Sequence, residues 1–268
     1  MTLYTKRIGD SGPVLLFIVG GNGDSTVFEG VAAQLADRYR VVLYDRAGFA
    51  RSPVDAVPAD KLAADVEDAR ALLADEPGYV FGSSSGAIVT LELLAKHPSV
   101  VRLAVPHEPP LISLLPDRDE RLAEMDGVYE LYRSEGPDAA MALFGKVVGL
   151  AQQSPPPGFE PPPAMREMFE RMRHNVPFWF DHEFTPYPRH EPDLAALAAA
   201  KDRLVLACGV ESRGLVAYRP NVVLSERLGL DLVEFPGDHV GYARHPVEFA
   251  AKLHEVLGPN EVSSAAVS

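Results

Sequence analysis

The 268-residue sequence predicts an α/β fold, with a mostly parallel central sheet flanked by helices and an inserted helical cap. Three observations carry that expectation. Short apolar, β-prone runs alternate with segments of helical periodicity from residue 13 to about 108. The alternation breaks between about 116 and 194, a stretch rich in proline. It resumes from 202 to 258. Strand–helix–strand alternation implies parallel strands whose faces are both covered by helices.

PVLLFIVGG (13–21) and RVVLYD (40–45) read as strands, and TVFEGVAAQLADR between them as a helix. KLAADVEDARALLAD (61–75) is a second helix, charged on one face and Leu- and Ala-rich on the other. GYVFGS is the next strand. GAIVTLELLAKHP (86–98) is apolar almost all round, which predicts a buried helix. VRLAVPHE then returns to a strand.

From 116 to 194 the sequence predicts short helical pieces. SPPPGFEPPP (154–163) suits neither a helix interior nor a central strand and reads as a stiff extended connector. DRLVLACG (202–209) and LDLVEFPGDH (230–239) restore the strand signal. PVEFAAKLHEVLG (246–258) is the closing helix, and the tail NEVSSAAVS is expected to fray. The expected organisation is a core of residues 1–115 and 195–268 with a cap over 116–194.

At 47% hydrophobic and 24% charged the chain can bury a large core. A formal net charge of −13 argues against a phosphate-binding surface, so no nucleic-acid partner is expected. The single cysteine, Cys208, rules out an internal disulfide and reads as a buried strand-end residue. The N-terminus lacks the apolar stretch of a signal peptide, and no apolar run approaches the roughly 18 residues of a membrane span. A soluble cytoplasmic protein is the expectation, with a homodimer left open. There is neither CxxC nor HExxH, and the adjacent His182 and Glu183 do not make a metal pattern. No metal and no cofactor are expected.

The chemistry gathers around Gly82-Ser83-Ser84-Ser85-Gly86, a G-x-S-x-G between an apolar strand and an apolar helix. This suits a nucleophile elbow, whose glycines let strand and helix approach closely. Of the three serines only Ser84 has glycine at both −2 and +2. A glycine-serine turn without chemistry is the plainer reading; the flanking elements and a downstream histidine favour a nucleophile. His239, in FPGDHVGY, follows the last predicted strand and would open at the same sheet edge. His245 and His97 adjoin prolines at helix boundaries, and His107 would point to the opposite face from Glu108. The oxyanion donors would be the N–H groups of Ser85 and of the glycine-rich loop Gly20–Asp24.

These motifs resemble the α/β-hydrolase superfamily over residues 13–110 and 200–257. YDRAGFARS (44–52) is similar to its D-x-x-G-x-G-x-S turn, with Ala50 in place of the second glycine and Asp45 read as structural. A closer resemblance is to fungal zearalenone lactone hydrolases, carried by SSSG, PHEPP, GDHVGY and, in the cap, NVPFW. The resemblance implies a triad of Ser84, His239 and Glu108, an oxyanion hole at Gly21 and Ser85, and Trp179 facing the substrate. Most of the superfamily places the acid one strand later, where Glu211 is the candidate, one residue short of the usual spacing. Trp179 could equally be a cap-core residue. The rest of the cap does not match, so the substrate does not carry over.

The expectation is a cofactor-independent serine hydrolase of a carboxylic ester, a lactone or bulky apolar ester, working through an acyl-enzyme. The alternatives are an acyltransferase, lyase or cyclase on the same triad, or a non-catalytic ligand receptor on this fold. Epoxide hydrolase and dehalogenase chemistry is disfavoured, because those relatives carry aspartate where Ser84 stands.

Overall fold

The computed structural model describes residues 2–73, 76–149 and 160–258. Seven strands form one sheet: β1 (Thr5–Ile8), β2 (Val14–Ile18), β3 (Arg40–Tyr44), β4 (Gly78–Ser83), β5 (Val101–His107), β6 (Leu206–Gly209) and β7 (Leu232–Phe235). Their spatial order is β1-β3-β2-β4-β5-β6-β7. Every pairing is parallel except that of β1 with β3. The short edge strand β1 went unread in the sequence, since TKRI is too polar and brief to show an apolar run.

The core helices are α1 (Glu29–Leu35), α2 (Lys61–Leu72) and α3 (Ser85–Lys96); the insert carries α4 (Arg118–Glu135), α5 (Pro137–Val147) and α6 (Pro163–His182). After it come α7 (Leu194–Ala199), α8 (Arg219–Leu228), α9 (Gly241–Arg244) and α10 (Pro246–Leu257). Strand alternation divides the core. Val14, Leu16 and Ile18 face α2, α3, α7 and α8, while Leu15 and Phe17 face α1, α9 and α10. A strand buried on both faces therefore reads as one unbroken apolar run. Helix α3, in the middle of the first layer, is buried at every position from Ser85 to Leu94. Cys208 lies buried in β6 as a free thiol.

Local signals fix the helix ends. Asp60 caps α2 by accepting from the Ala63 N–H at 2.8 Å, and Asp193 caps α7 through Ala195 and Ala196. Prolines stand in the first turn of α5, α6, α8 and α10, where their missing N–H costs nothing.

The insert differs from the short pieces expected. Helix α4 has 18 residues and α6 has 20, with Pro177 inside α6. Pro177 forfeits one backbone hydrogen bond, but Val176, Trp179 and Phe180 around it are buried, and that packing holds the helix together. Of the proline tract, residues 154–159 lie outside the described residues, as does the tail from 259. Met125 and Val128 of α4, Ala140 of α5 and the buried face of α6 form a third apolar cluster with Phe49 and Ile112 of the core. Among the described residues no helix is long and apolar enough to cross a membrane.

Candidate active site

Ser84 follows β4 directly, with φ 56° and ψ −126°, a conformation that side-chain-bearing residues avoid. Its N–H donates to the His107 carbonyl at 3.0 Å, and its carbonyl accepts from the Ala87 N–H at 2.8 Å. The two motif glycines have no room for a side chain. A Cβ on Gly82 would strike the Gly86 carbonyl and Thr90 Oγ1, and one on Gly86 would strike the Ile18 carbonyl. Close packing of β2, β4 and α3 thus forces the turn. Ser84 stands at the N-cap of α3 without spending its hydroxyl on capping, and it is only half buried.

On the neighbouring strand, β5 stops at His107 because Glu108 turns left-handed, with φ 51°. The Glu108 N–H donates to the Ala207 carbonyl at 3.0 Å, which ties the turn to β6. Its carboxylate is fully buried. One oxygen accepts the Gly209 N–H at 2.7 Å, and the other accepts Nδ1–H of His239 at 2.7 Å. Burial pushes this carboxyl up, but the hydrogen bond from His239 and the Gly209 N–H are among the opposing effects that bring it down to about 2. Ser84, Glu108 and His239 therefore follow the carboxyl ends of β4, β5 and β7, with His239 held by Glu108.

Glu211 is elsewhere. It is exposed, on a short 3₁₀ turn (Val210–Ser212), and its N–H donates to the Gly237 carbonyl at 3.0 Å. The carboxylate on His239 is that of Glu108. Ser212, at the spacing where most relatives carry the acid, is fully buried. His97 closes α3 and donates to Glu67 at 2.8 Å, and His245 is the N-cap of α10. His107 is buried among Phe81, Phe235, Tyr242 and Phe249, its ring 6.3 Å from that of His239. Neither of its ring nitrogens has a hydrogen-bond partner among the described residues. Burial pushes its pKa down to about 4, so it is neutral at pH 7.

The loop after β2 lies against Ser84. A Cβ on Gly20 would fall 2.8 Å from Ser84 Cβ and 3.5 Å from its Oγ. Gly21 comes next, and there a Cβ would collide with Nε1 of Trp179. Trp179 thus sets its indole edge on the loop. Its rings also pack against Phe144, Phe180 and Phe184, the surroundings of a residue in the core of the insert.

Sequence reasoning missed how the insert is fastened. Arg46, fully buried, donates to both oxygens of Glu183 at 2.6 and 2.8 Å, to Asp65 at 2.7 Å and to the Val19 carbonyl at 2.9 Å. Lys61 pairs with Asp65 and Glu183, and the Tyr187 hydroxyl donates to Asp65 at 2.8 Å. Two cations thus meet two carboxylates away from water. Glu183 is committed to Arg46, and the His182 ring lies tilted against Phe178. Asp45 is likewise committed, accepting from Ser25 and Arg51.

A family model described as alpha/beta hydrolase fold matches residues 13–148. The uncharacterized hydrolase YraK of Bacillus subtilis (strain 168) is 34% identical over 261 residues, covering 94% of this chain and 91% of that protein. A zearalenone hydrolase of Bionectria ochroleuca is 27% identical over 274 residues, covering 95% and 93%. A crystal structure of a hydrolase from Pseudomonas aeruginosa superposes with a TM-score of 0.72 at 19% identity, over 96% of this chain and 94% of that one. With an elbow serine, a buried carboxylate on a histidine and a helical insert above the sheet, the chain belongs to the α/β-hydrolase fold family.

Proposed function

We propose that this protein is a serine hydrolase that cleaves a carboxylic ester, a lactone or bulky apolar ester, through Ser84, His239 and Glu108. The observation that carries the reading is the hydrogen bond from His239 Nδ1 to the buried Glu108 carboxylate, beside a strained serine that does not cap its own helix. Holding Nδ1–H fixes the tautomer and leaves Nε2 as the base.

Nε2 takes the Ser84 proton as Oγ attacks the ester carbonyl. The N–H groups of Gly21 and Ser85 receive the developing oxyanion, at the N-terminal end of α3. Collapse of the tetrahedral intermediate expels the alkoxide, which His239 protonates. Water, activated by the same histidine, then releases the acid from Ser84. Throughout, the ionised Glu108 stabilises the imidazolium without taking its proton. In a lactone the alcohol stays tethered to the acyl group, so water has to arrive before the ring re-closes.

The preference for a lactone or bulky apolar ester rests on two supports. The insert's apolar cluster brings Trp179 to the edge of Gly21. One relative of similar length is named a zearalenone hydrolase. A fluorophosphonate probe, followed by peptide mapping, tests the nucleophile; a panel of acetate esters, aryl esters and macrocyclic lactones tests the substrate class. Labelling at Ser84 with turnover of lactones or bulky esters is expected. No label at Ser84, or turnover of neither, would overturn the proposal.

A further inference from the structure

Among the described residues, four that bear side chains have positive φ: Asn22, Ala50, Ser84 and Glu108, at 47°, 46°, 56° and 51°. Two are the proposed nucleophile and acid. The other two, Asn22 and Ala50, lie on separate loops of the core, and one side chain joins them. Asn175, on α6, is buried at 4% exposure. Its Nδ2 donates to the carbonyls of Asn22 at 3.2 Å and Gly23 at 2.9 Å, and its Oδ1 accepts the Ala50 N–H at 2.8 Å. Both Nδ2 hydrogens and the amide oxygen are used.

The neighbouring turns of α6 continue the pattern. Arg171 pairs with the buried Asp24, Asn175 holds Asn22 and Gly23, and Trp179 covers Gly21. Residues four apart share one face of a helix. That face therefore meets the loop in reverse order, from Asp24 back to Gly21. Gly21, with no Cβ to anchor it, takes its orientation from the residues on either side. On one side is Gly20, packed on Ser84; on the other is the pair that Asn175 holds.

We infer that Asn175 is a positioning residue that aims the Gly21 N–H at the oxyanion, so that the insert completes the catalytic apparatus as well as covering the substrate. This rests on the serine-hydrolase reading. Loss of the three hydrogen bonds lets the loop relax without touching the nucleophile, the base or the acid. The cost falls on the charged transition state, because only there does the Gly21 N–H carry an anion.

The test compares wild type with Asn175→Ala and Asn175→Asp on one ester, well below the unfolding temperature. Asp matches Asn in size and keeps an acceptor for Ala50, but it sets a carboxylate against two carbonyls. Both variants are expected to lose roughly 10- to 100-fold in kcat, the scale of a misplaced catalytic group, with KM changed by less than about threefold. Phosphonylation of Ser84 should slow in parallel, since that adduct charges the same oxygen, while the pH midpoint of kcat/KM stays in place. Wild-type kcat with only a lowered Tm would overturn the proposal, as would a loss confined to KM. Should Asn175→Ala fail to fold, Asn175→Asp carries the same expectation and the same refutation. A wild-type enzyme that the fluorophosphonate does not label would instead refute the serine-hydrolase reading, whatever the variants do.

Discussion

Glu108 reaches His239 across 131 residues of sequence, with its Oε2 2.7 Å from Nδ1, while Glu211 points into solvent two residues beyond the strand where most relatives place their acid. The left-handed turn at Glu108 makes this geometry available. A residue continuing β5 in extended form would alternate to one face of the sheet; the turn swings the carboxylate over the strand end instead.

Glu108→Gln keeps the volume and loses the charge that stabilises the imidazolium. It is expected to lower kcat by roughly 10³- to 10⁴-fold, as for removal of a triad carboxylate. Glu211→Gln should change kcat by less than about twofold, on the scale of an exposed substitution. Steady-state kinetics on both, with circular dichroism to confirm folding, checks the order; reversal would make Glu211 the acid.

Ser84→Ala should reduce turnover by about 10⁶-fold. Ser84→Gly should do the same and also raise stability by about 1 kcal/mol, because glycine adopts this backbone conformation without strain. In a domain of this size that is a Tm increase of about 2–4 °C. A Gly variant no more stable than the Ala variant would mean that the elbow stores no strain.

Trp179→Ala should cost about 3–5 kcal/mol, since three aromatic neighbours lose their partner. Trp179→Phe separates packing from contact. It should retain most of the stability yet raise KM for bulky esters more than for acetate esters. Equal effects on both substrates would make Trp179 a packing residue alone.

His107 makes stability depend on acid. Burial leaves its folded pKa near 4, against about 6.5 when unfolded, and the groups that face it include Glu108, Asp238 and His239. Between those values the unfolded chain binds the extra proton, so stability falls as pH drops from about 6.5 to 4, by up to about 3 kcal/mol. Glu108 acts lower. Its contribution is complete above its unfolded pKa of about 4.3 and is lost as pH falls towards 2. Urea titrations of wild type and His107→Phe at pH 7, 5.5 and 4.5 should show a shallower decline in the variant. Parallel declines would remove His107 as the cause.

How much of this was legible follows from where each signal lives. The strands buried on both faces, and the elbow, are local patterns, and residues 13–108 read almost element for element. Glu108 came from the resemblance carried by PHEPP, with Glu211 as the alternative. Helix α8 and strand β1 went unread: RPNVVLSERL carries a proline in its first turn and turns the polar Asn221 inward, and TKRI is an edge strand of four residues. Helix α6 was obscured by Pro177, whose local cost is outweighed by packing that no single window contains. The burial of Arg46 was hidden for a similar reason. Charged residues are almost never fully buried unless paired, and its partner Glu183 is 137 residues away.

The pairing of Arg46 with Glu183 bears on how such a protein can be recombined. Caps look like exchangeable parts, inserted between two strands and free to vary. Here an insert without a carboxylate in the place of Glu183 would leave Arg46 and Lys61 facing Asp65 alone, with one buried cation unmatched. Breaking a buried pair in this way costs about 3–5 kcal/mol, a large share of a domain's net stability. In this chain the unit of exchange is therefore the insert together with Arg46 and the 21–24 loop, which it grips through Glu183, Arg171 and Asn175.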